Sequence, residues 1–338
     1  MKLSILIPMY NAKNYIGNCI ESLINQDISL EDYEIIIIDD GSKDNSADIV
    51  NRYAKQHKNI SIHKELNSGA YTTRNKLLKL AKGDYIYNLD ADDYIVRNCL
   101  GTLLDLAVSK QLDIIGFDTI ETLNLDKLDL PNSIEPKETK HSTGKEFIEE
   151  YVHFRHEIWW YFIKRDFMIE HHMSFNKNEY NADVMFTLEA LGNAEKVGYL
   201  PIPLHRYVQT QDSLMRSKNF DITCKRIEYI QMMINNSSQL INNLNKDSNS
   251  DVLLKNMRYR RDVFTFFNIL NMLRNKFRLV YVKNKIKSFK LTGAYPIKNF
   301  NNYKYTSLRY RILLAIINNE KLIYTLILIK NLFSKPIK

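Results

Sequence analysis

Residues 3–8 (LSILIP) form a continuous apolar run, and Ile16, Cys19, Ile20, Leu23 and Ile24 then recur at the i, i+3, i+4, i+7, i+8 spacing of an amphipathic helix. A second strand is predicted over Tyr33 to Asp39 (YEIIIID), where four consecutive isoleucines indicate burial on both faces, followed by a helix from about Asp44 to His57. A third unit pairs a strand near Ile60 to Lys64 with a helix ending in LLKLAKG, where Gly83 reads as the residue past the helix C-terminus. The fourth strand is expected over Asp84 to Asp90 (DYIYNLD). Strands and helices alternating with short connections predict an α/β fold, a doubly wound, mostly parallel sheet with helices on both faces. Residues 119–142, with Pro131, Pro136 and many charges, read as an exposed excursion. From about residue 220 glycine and proline almost vanish and long helical patterns take over, broken at LTGAYP (291–296). The expected division is a domain over 1–219 and a helical region over 220–338.

In doubly wound sheets ligands bind outside the carboxyl ends of the strands. Pro8, Met9, Tyr10 and Asn11 follow strand one, Asp39, Asp40, Gly41 and Ser42 follow strand two, and Asp90, Ala91, Asp92 and Asp93 follow strand four. One sheet edge is thus expected to collect five aspartates and an aromatic ring. Carboxylates so concentrated need a compensating cation, and a few hard oxygen ligands suit Mg2+ or Mn2+ held jointly with substrate phosphates. Neither GxGxxG after strand one nor GxxxxGK[ST] occurs, so a Rossmann dinucleotide site and a P-loop are both excluded. A base can stack on Tyr10 and donate an imide N–H to a carboxylate such as Asp39. Taken singly, Tyr10 is better read as a capping or packing residue, Asp39 as a turn former and an isolated DxD as a solvated acidic turn.

The motifs SILIPMYN, Ser22-Leu23 to Gln26, IIIIDDGSKDNS, ELNSGAYTTRN and AKGDYIYNLDADD, in this order, resemble the inverting family 2 of the GT-A glycosyltransferases over about residues 2–215. That resemblance implies transfer of a sugar from a nucleoside diphosphate donor, usually a UDP-sugar, to the hydroxyl of a glycan or lipid-linked acceptor in polysaccharide biosynthesis. It implies that Pro8, Tyr10, Asn11, Asp39, Arg74 and Asp90 serve the nucleotide and ribose side. Asp92 would ligate the metal, and Asp93 would stand near the donor sugar. An inverting transfer needs a base for the acceptor proton. The resemblance assigns that role to Asp183 in NADVMFTLEALGN, although Ala182 stands where relatives carry a glutamate. His205 in PLHRY is a second expected metal ligand, against the ordinary alternative of a buried, satisfied histidine. Trp159 and Trp160 are expected either to stack an acceptor sugar or to pack in the core, and Ser213 and Arg216 to close over the diphosphate.

Composition narrows the surroundings more than the chemistry. With 45% hydrophobic and 25% charged residues, disorder and collagen-like designs are excluded. Cys19, Cys99 and Cys224 form no CxxC pair and suggest neither a disulfide framework nor a zinc site. The longest apolar run, Leu322 to Ile329, is bracketed by Lys321 and Lys330 and is too short to span a bilayer. Neither a secretory signal nor a transmembrane span is expected, and the cytoplasm, or the inner face of the cell membrane, is the expected location. The net charge of +8 conceals an asymmetry: residues 221–338 hold 22 Lys and Arg against 6 Asp and Glu, leaving 25 against 33 in residues 1–220. The basic third implies an anionic partner. A basic amphipathic helix over Tyr305 to Phe333 would suit a membrane surface, or the same helix would pack on the catalytic domain or on a partner subunit as in a homodimer, and Tyr259, Phe264, Phe266 and Phe267 interleaved with Arg258, Arg260 and Arg261 would suit nucleic acid. The alternative function is therefore a nucleic-acid-binding protein; a sugar nucleotidyltransferase would want a Gly-rich phosphate loop that is absent.

Overall fold

The structure, a computed structural model, describes residues 1–130, 138–176, 182–210, 219–246, 250–275 and 277–333; Ser213 and Arg216, like residues 131–137 of the predicted excursion, lie outside these. The elements run β1 (Leu3–Met9), α1 (Ile16–Ile24), β2 (Tyr33–Asp39), α2 (Ser46–Gln56), β3 (Ile60–Lys64), α3 (Ala70–Leu80), β4 (Tyr85–Asn88), β5 (Tyr94–Ile95) and α4 (Leu100–Ser109). They continue through β6 (Ile114–Thr122), β7 (Lys140–Ser142), α5 (Gly144–Glu150), β8 (Tyr161–Lys164), α6 (Arg165–Glu170), α7 (Ala182–Asn193) and β9 (Val197–Val208). Among the described residues the chain then continues through α8 (Phe220–Lys246), α9 (Asp251–Arg274), α10 (Leu279–Leu291), α11 (Leu308–Ile317) and α12 (Glu320–Phe333).

The chain divides into two compact units, one of residues 1–147, 155–178 and 182–213, the other of residues 148–154, 179–181 and 214–338. The first contains a sheet of order β3-β2-β1-β4-β8-β6-β9-β5, with β7 also on β9. Strands β1 to β4 pair parallel, as the alternation of strand and helix predicts, and the apolar runs of β1 and β2 bury Leu3, Ile5, Ile7, Ile35 and Ile37 completely. Beyond β4 the sheet is mixed: β8 is antiparallel to β4 and β6, while β6 and β9 are parallel. Both ends of the predicted excursion are strand, Thr119–Thr122 in β6 and Lys140–Ser142 in β7. Helix α3 closes at Leu80 without a glycine cap, its Ala81 being extended. Gly83 serves another purpose, because a Cβ there would meet the Ser4 backbone nitrogen at 2.5 Å.

From β1 the strand order runs to β2 and β3 on one side and to β4 on the other, so the order reverses between β1 and β4. The carbonyl of Leu6 accepts from Leu89 N on the β4 side and that of Met9 accepts from Asp40 N on the β2 side. Pro8 therefore faces the β4 side, past the last rung at Leu6 and Asn88, where its missing N–H costs no ladder bond. A crevice at the carboxyl ends of β1 and β4 follows from the topology.

The second unit is helical, with Ile227, Phe266, Ile269, Phe289, Phe300, Ile317 and Ile323 in its core. Tyr259, Arg260, Arg261 and Phe266 are buried, which corrects their expected role in stacking on nucleic acid. Arg260 donates to the carbonyls of Val152 and Phe154, and Arg261 pairs with Asp262 at 2.8 Å. The terminal segment is likewise two helices, α11 and α12, bent by 88° at a short break, and not the single helix expected.

Candidate functional site

Asp90, Ala91, Asp92 and Asp93 follow β4 as a turn closed by a bond from Asp93 N to Asp90 O (3.1 Å). This turn gathers three carboxylates, with one oxygen of each within 4.8 Å of the others. The short β5 then pairs Ile95 with His205 of β9, carrying the chain from the turn directly onto that strand. Asp93 is 1% exposed; its Oδ1 accepts from Val208 N at 2.8 Å. Its Oδ2 lies 3.3 Å from His205 Nε2 but out of line for a hydrogen bond, so that this oxygen and both nitrogens of the fully buried imidazole lack partners among the described residues. Burial pushes His205 down to about 3, leaving it neutral and able to ligate. Burial, then Asp93 and Asp90, push Asp92 up to about 8, and Asp93 shifts in the same direction. Orphaned oxygen and imidazole donors beside a carboxylate whose proton affinity is raised by burial and by its acidic neighbours fit a divalent cation, which would compensate the charge in place of a proton.

The five expected aspartates do not form one cluster. Asp40 turns away, its two oxygens accepting from the backbone amides of Ser68 (2.8 Å) and Gly69 (2.9 Å), and so fixes the loop that enters α3. Asp39 accepts from Ser42 N at 3.0 Å through Oδ1, and its other oxygen has no partner among the described residues. Asn11, at φ 50°, donates its amide to Ser42 Oγ and accepts from Lys43 N, joining the loops after β1 and β2. Half-exposed Tyr10 stands beside it. Arg74, buried on α3, pairs with Asp90, while its Nε and Nη1 are buried without partners among the described residues.

Asp183 lies in the first turn of α7, next to buried Ala182. Its Oδ1 accepts from Tyr71 Oη at 2.9 Å, a partner on α3 that lies one turn before Arg74 and that the sequence reading missed; the i, i+3 spacing places it on the face of Arg74 but does not connect it to Asp183. Burial and the nearby charge of Glu157 push Asp183 up to about 6, against the opposing effects of Tyr71 and Arg74. Asn75 exchanges two hydrogen bonds with the backbone of Phe175 (2.7 and 2.9 Å), and Phe175 stacks on Tyr71 and on Phe186 of α7. The RN pair of the motif thereby braces both the arginine and the helix that carries the carboxylate. Trp159 and Trp160 are each 3% exposed. Trp159 stacks on His205 at 4.4 Å and Trp160 on Phe147 at 5.8 Å, so both are packing residues and not a sugar platform.

Comparison with known proteins matches residues 4–169 to the family model described as Glycosyl transferase family 2. The uncharacterized glycosyltransferase YibD of Escherichia coli (strain K12) is 26% identical over 87% of this chain and 86% of its own length. Among solved structures, S. aureus TarS 1–349 in complex with UDP-GlcNAc superposes with a TM-score of 0.69 at 20% identity, over 98% of this chain and 92% of that one. The mannosyltransferase PcManGT from Pyrobaculum calidifontis, in complex with GDP-Man and Mn2+, gives a TM-score of 0.56 at 14% identity, over 99% and 88% of the two chains. These two likenesses establish a shared fold.

Proposed function

Because the chain belongs to glycosyl transferase family 2, we propose that it is a metal-dependent inverting enzyme that moves a sugar from a UDP-sugar to a hydroxyl of a glycan or lipid-linked acceptor. The observation that carries this reading is the convergence of the Asp90–Asp93 turn, Arg74 and Asp183 at the sheet's switch point. The acceptor oxygen attacks the anomeric carbon and gives its proton to the Asp183 carboxylate. The bond from that carbon to the diphosphate breaks, and its electron pair leaves on the phosphate oxygen. A base near pKa 6 is largely ionised at neutral pH yet retains proton affinity, which suits this step. Asp92, with His205 and Asp93 beside it, would hold the divalent cation, whose chemistry when bound is to offset charge on the leaving diphosphate. Uracil is favoured because its imide N–H suits the Asp39 oxygen that has no partner among the described residues, and because TarS is described with UDP-GlcNAc. A nucleotide-sugar donor also suits a reaction on the cytoplasmic side of the membrane.

The test is nucleotide release from UDP-, GDP- and dTDP-sugars with Mn2+, with Mg2+ and with chelator. One donor is expected to turn over with metal only. Asp183→Asn should lose about 10²–10⁴-fold in rate while still binding donor. Asp92→Asn should lose its metal response. Undiminished turnover in chelator would remove the metal from the mechanism, and unaltered turnover in Asp183→Asn would remove the base.

A further inference from the structure

Helix α12 is apolar on two sides. Ile323 and Ile327, 0% and 3% exposed, belong to the core of the helical unit. Leu322, Leu326 and Ile329, at i, i+4 and i+7, run along another face with Leu332 and are 45%, 45%, 47% and 82% exposed. A helix apolar all round is ordinarily covered all round. Helix α11 also carries exposed apolar side chains, Leu308 (73%) and Ile312 (53%), at i and i+4. Together α11 and α12 have the length and hydropathy of a membrane span, yet they are bent by 88°, and no single helix among the described residues is long and apolar enough to cross a bilayer.

The charges on the same pair indicate what covers it. Residues 263–338 hold 15 Lys and Arg against one acid, Glu320, and that acid is bound to Lys290 at 2.5 Å. Lys330 is turned inward to the carbonyls of Leu273 and Arg274. Arg309, Arg311 and Lys321 are exposed beside the open leucines. A second copy of the chain seated on this face would bring these cations against their own counterparts, whereas an anionic lipid surface accepts both the cations and the aliphatic side chains. We propose that α11 and α12 form a monotopic membrane-docking surface, lying in the interface of an anionic phospholipid bilayer with Leu322, Leu326, Ile329 and Leu332 inserted and Arg309, Arg311 and Lys321 at the headgroups.

The surface holds whether or not the assigned sugar chemistry is correct, so its test uses vesicles and no substrate. The full chain is sedimented with phosphatidylglycerol/phosphatidylcholine vesicles and with pure phosphatidylcholine vesicles, alongside Leu326→Asp/Ile329→Asp and Arg309→Glu/Lys321→Glu. Wild type is expected to bind anionic vesicles and each double variant at least tenfold less, with unchanged circular dichroism because the altered side chains are exposed. A Leu326→Trp variant should show an emission blue shift on anionic vesicles, larger than on pure phosphatidylcholine at the same lipid concentration. Absence of wild-type binding, or equal binding by all variants, overturns the proposal. So does a wild-type dimer in light scattering that Leu326→Asp/Ile329→Asp converts to monomer, which would make the face a contact between copies.

Discussion

At the scale of residues, the carboxyl of Asp183 is balanced between effects of opposite sign. Burial and Glu157 favour its protonated form, while the Tyr71 hydrogen bond and Arg74 favour the carboxylate, and Asp90 adds to the former. Tyr71 is itself buried, which pushes its hydroxyl far up and keeps it a donor. If Asp183 is the base, activity should rise as pH climbs through about 6, because only the deprotonated form accepts the acceptor proton. Tyr71→Phe removes a bond that stabilises the carboxylate, so the acidic limb of kcat should move up by about one pH unit, with the donor KM little changed. A limb that stays in place would show that Tyr71 only packs. The aspartates at strand ends were legible because each follows its strand within a few residues. Tyr71 and Glu157 were not, because Asp183 meets them across long stretches of chain, Tyr71 being 112 residues away. Asp40 misled for a related reason: its type and position suit a site, yet its oxygens are spent on the backbone of the next loop.

At the scale of elements, the Ser22 to Gln26 segment acquires a physical role. Helix α4 has no side-chain cap from Cys99. Its leading amides are met instead from the end of α1, where Gln26 Oε1 accepts from Cys99 N and Leu100 N (3.0 and 3.1 Å) and Asp27 accepts from Gly101 N and Thr102 N (2.8 and 3.0 Å). Gln26 Nε2 also donates to Val96 O at 2.7 Å, and a Cβ on Gly101 would lie 2.0 Å from Asp27 O. This cap ties α1 to the segment that follows the Asp90–Asp93 turn. Gln26→Ala strands two amides and leaves the Val96 carbonyl with the weak Cys99 Sγ donor alone, and should cost about 2 kcal/mol. In a thermal melt that is a fall of roughly 4–8 °C; a shift below about 1 °C would mean that water replaces the amide. The parallel strands β1 and β2 were readable because two-sided burial writes them as apolar runs, and β3 and β4 because they alternate with helices at short connections. Strands β5, β7 and β8 have two to four residues each and pair antiparallel with strands distant in sequence, so no local period announces them. The same limit applies to α9, where arginines and aromatics at helical spacing read equally as surface or core, and burial decides for core.

At the scale of the molecule, charge was legible in full from the sequence, but its disposition was not. The net +16 of residues 221–338 includes cations spent internally, such as Arg260, Arg261 and Lys330. Exposed Arg309, Arg311 and Lys321 sit beside open leucines, so attraction to an anionic bilayer should have two components with different responses to salt. The Coulombic part decays over a Debye length of about 30 Å at 0.01 M and about 3 Å at 1 M, whereas burial of Leu326 and its neighbours is not screened. Vesicle affinity measured across that range should therefore fall with salt and then level off at a residual set by the aliphatic face. A basic residue near the surface contributes about 1 kcal/mol, so Arg309→Gln should cost about fivefold at low salt and almost nothing at high salt. Leu326→Asp should lower the residual itself. An affinity that keeps falling to zero with salt would mean that the leucines never enter the lipid and that α12 owes its second apolar face to some other contact.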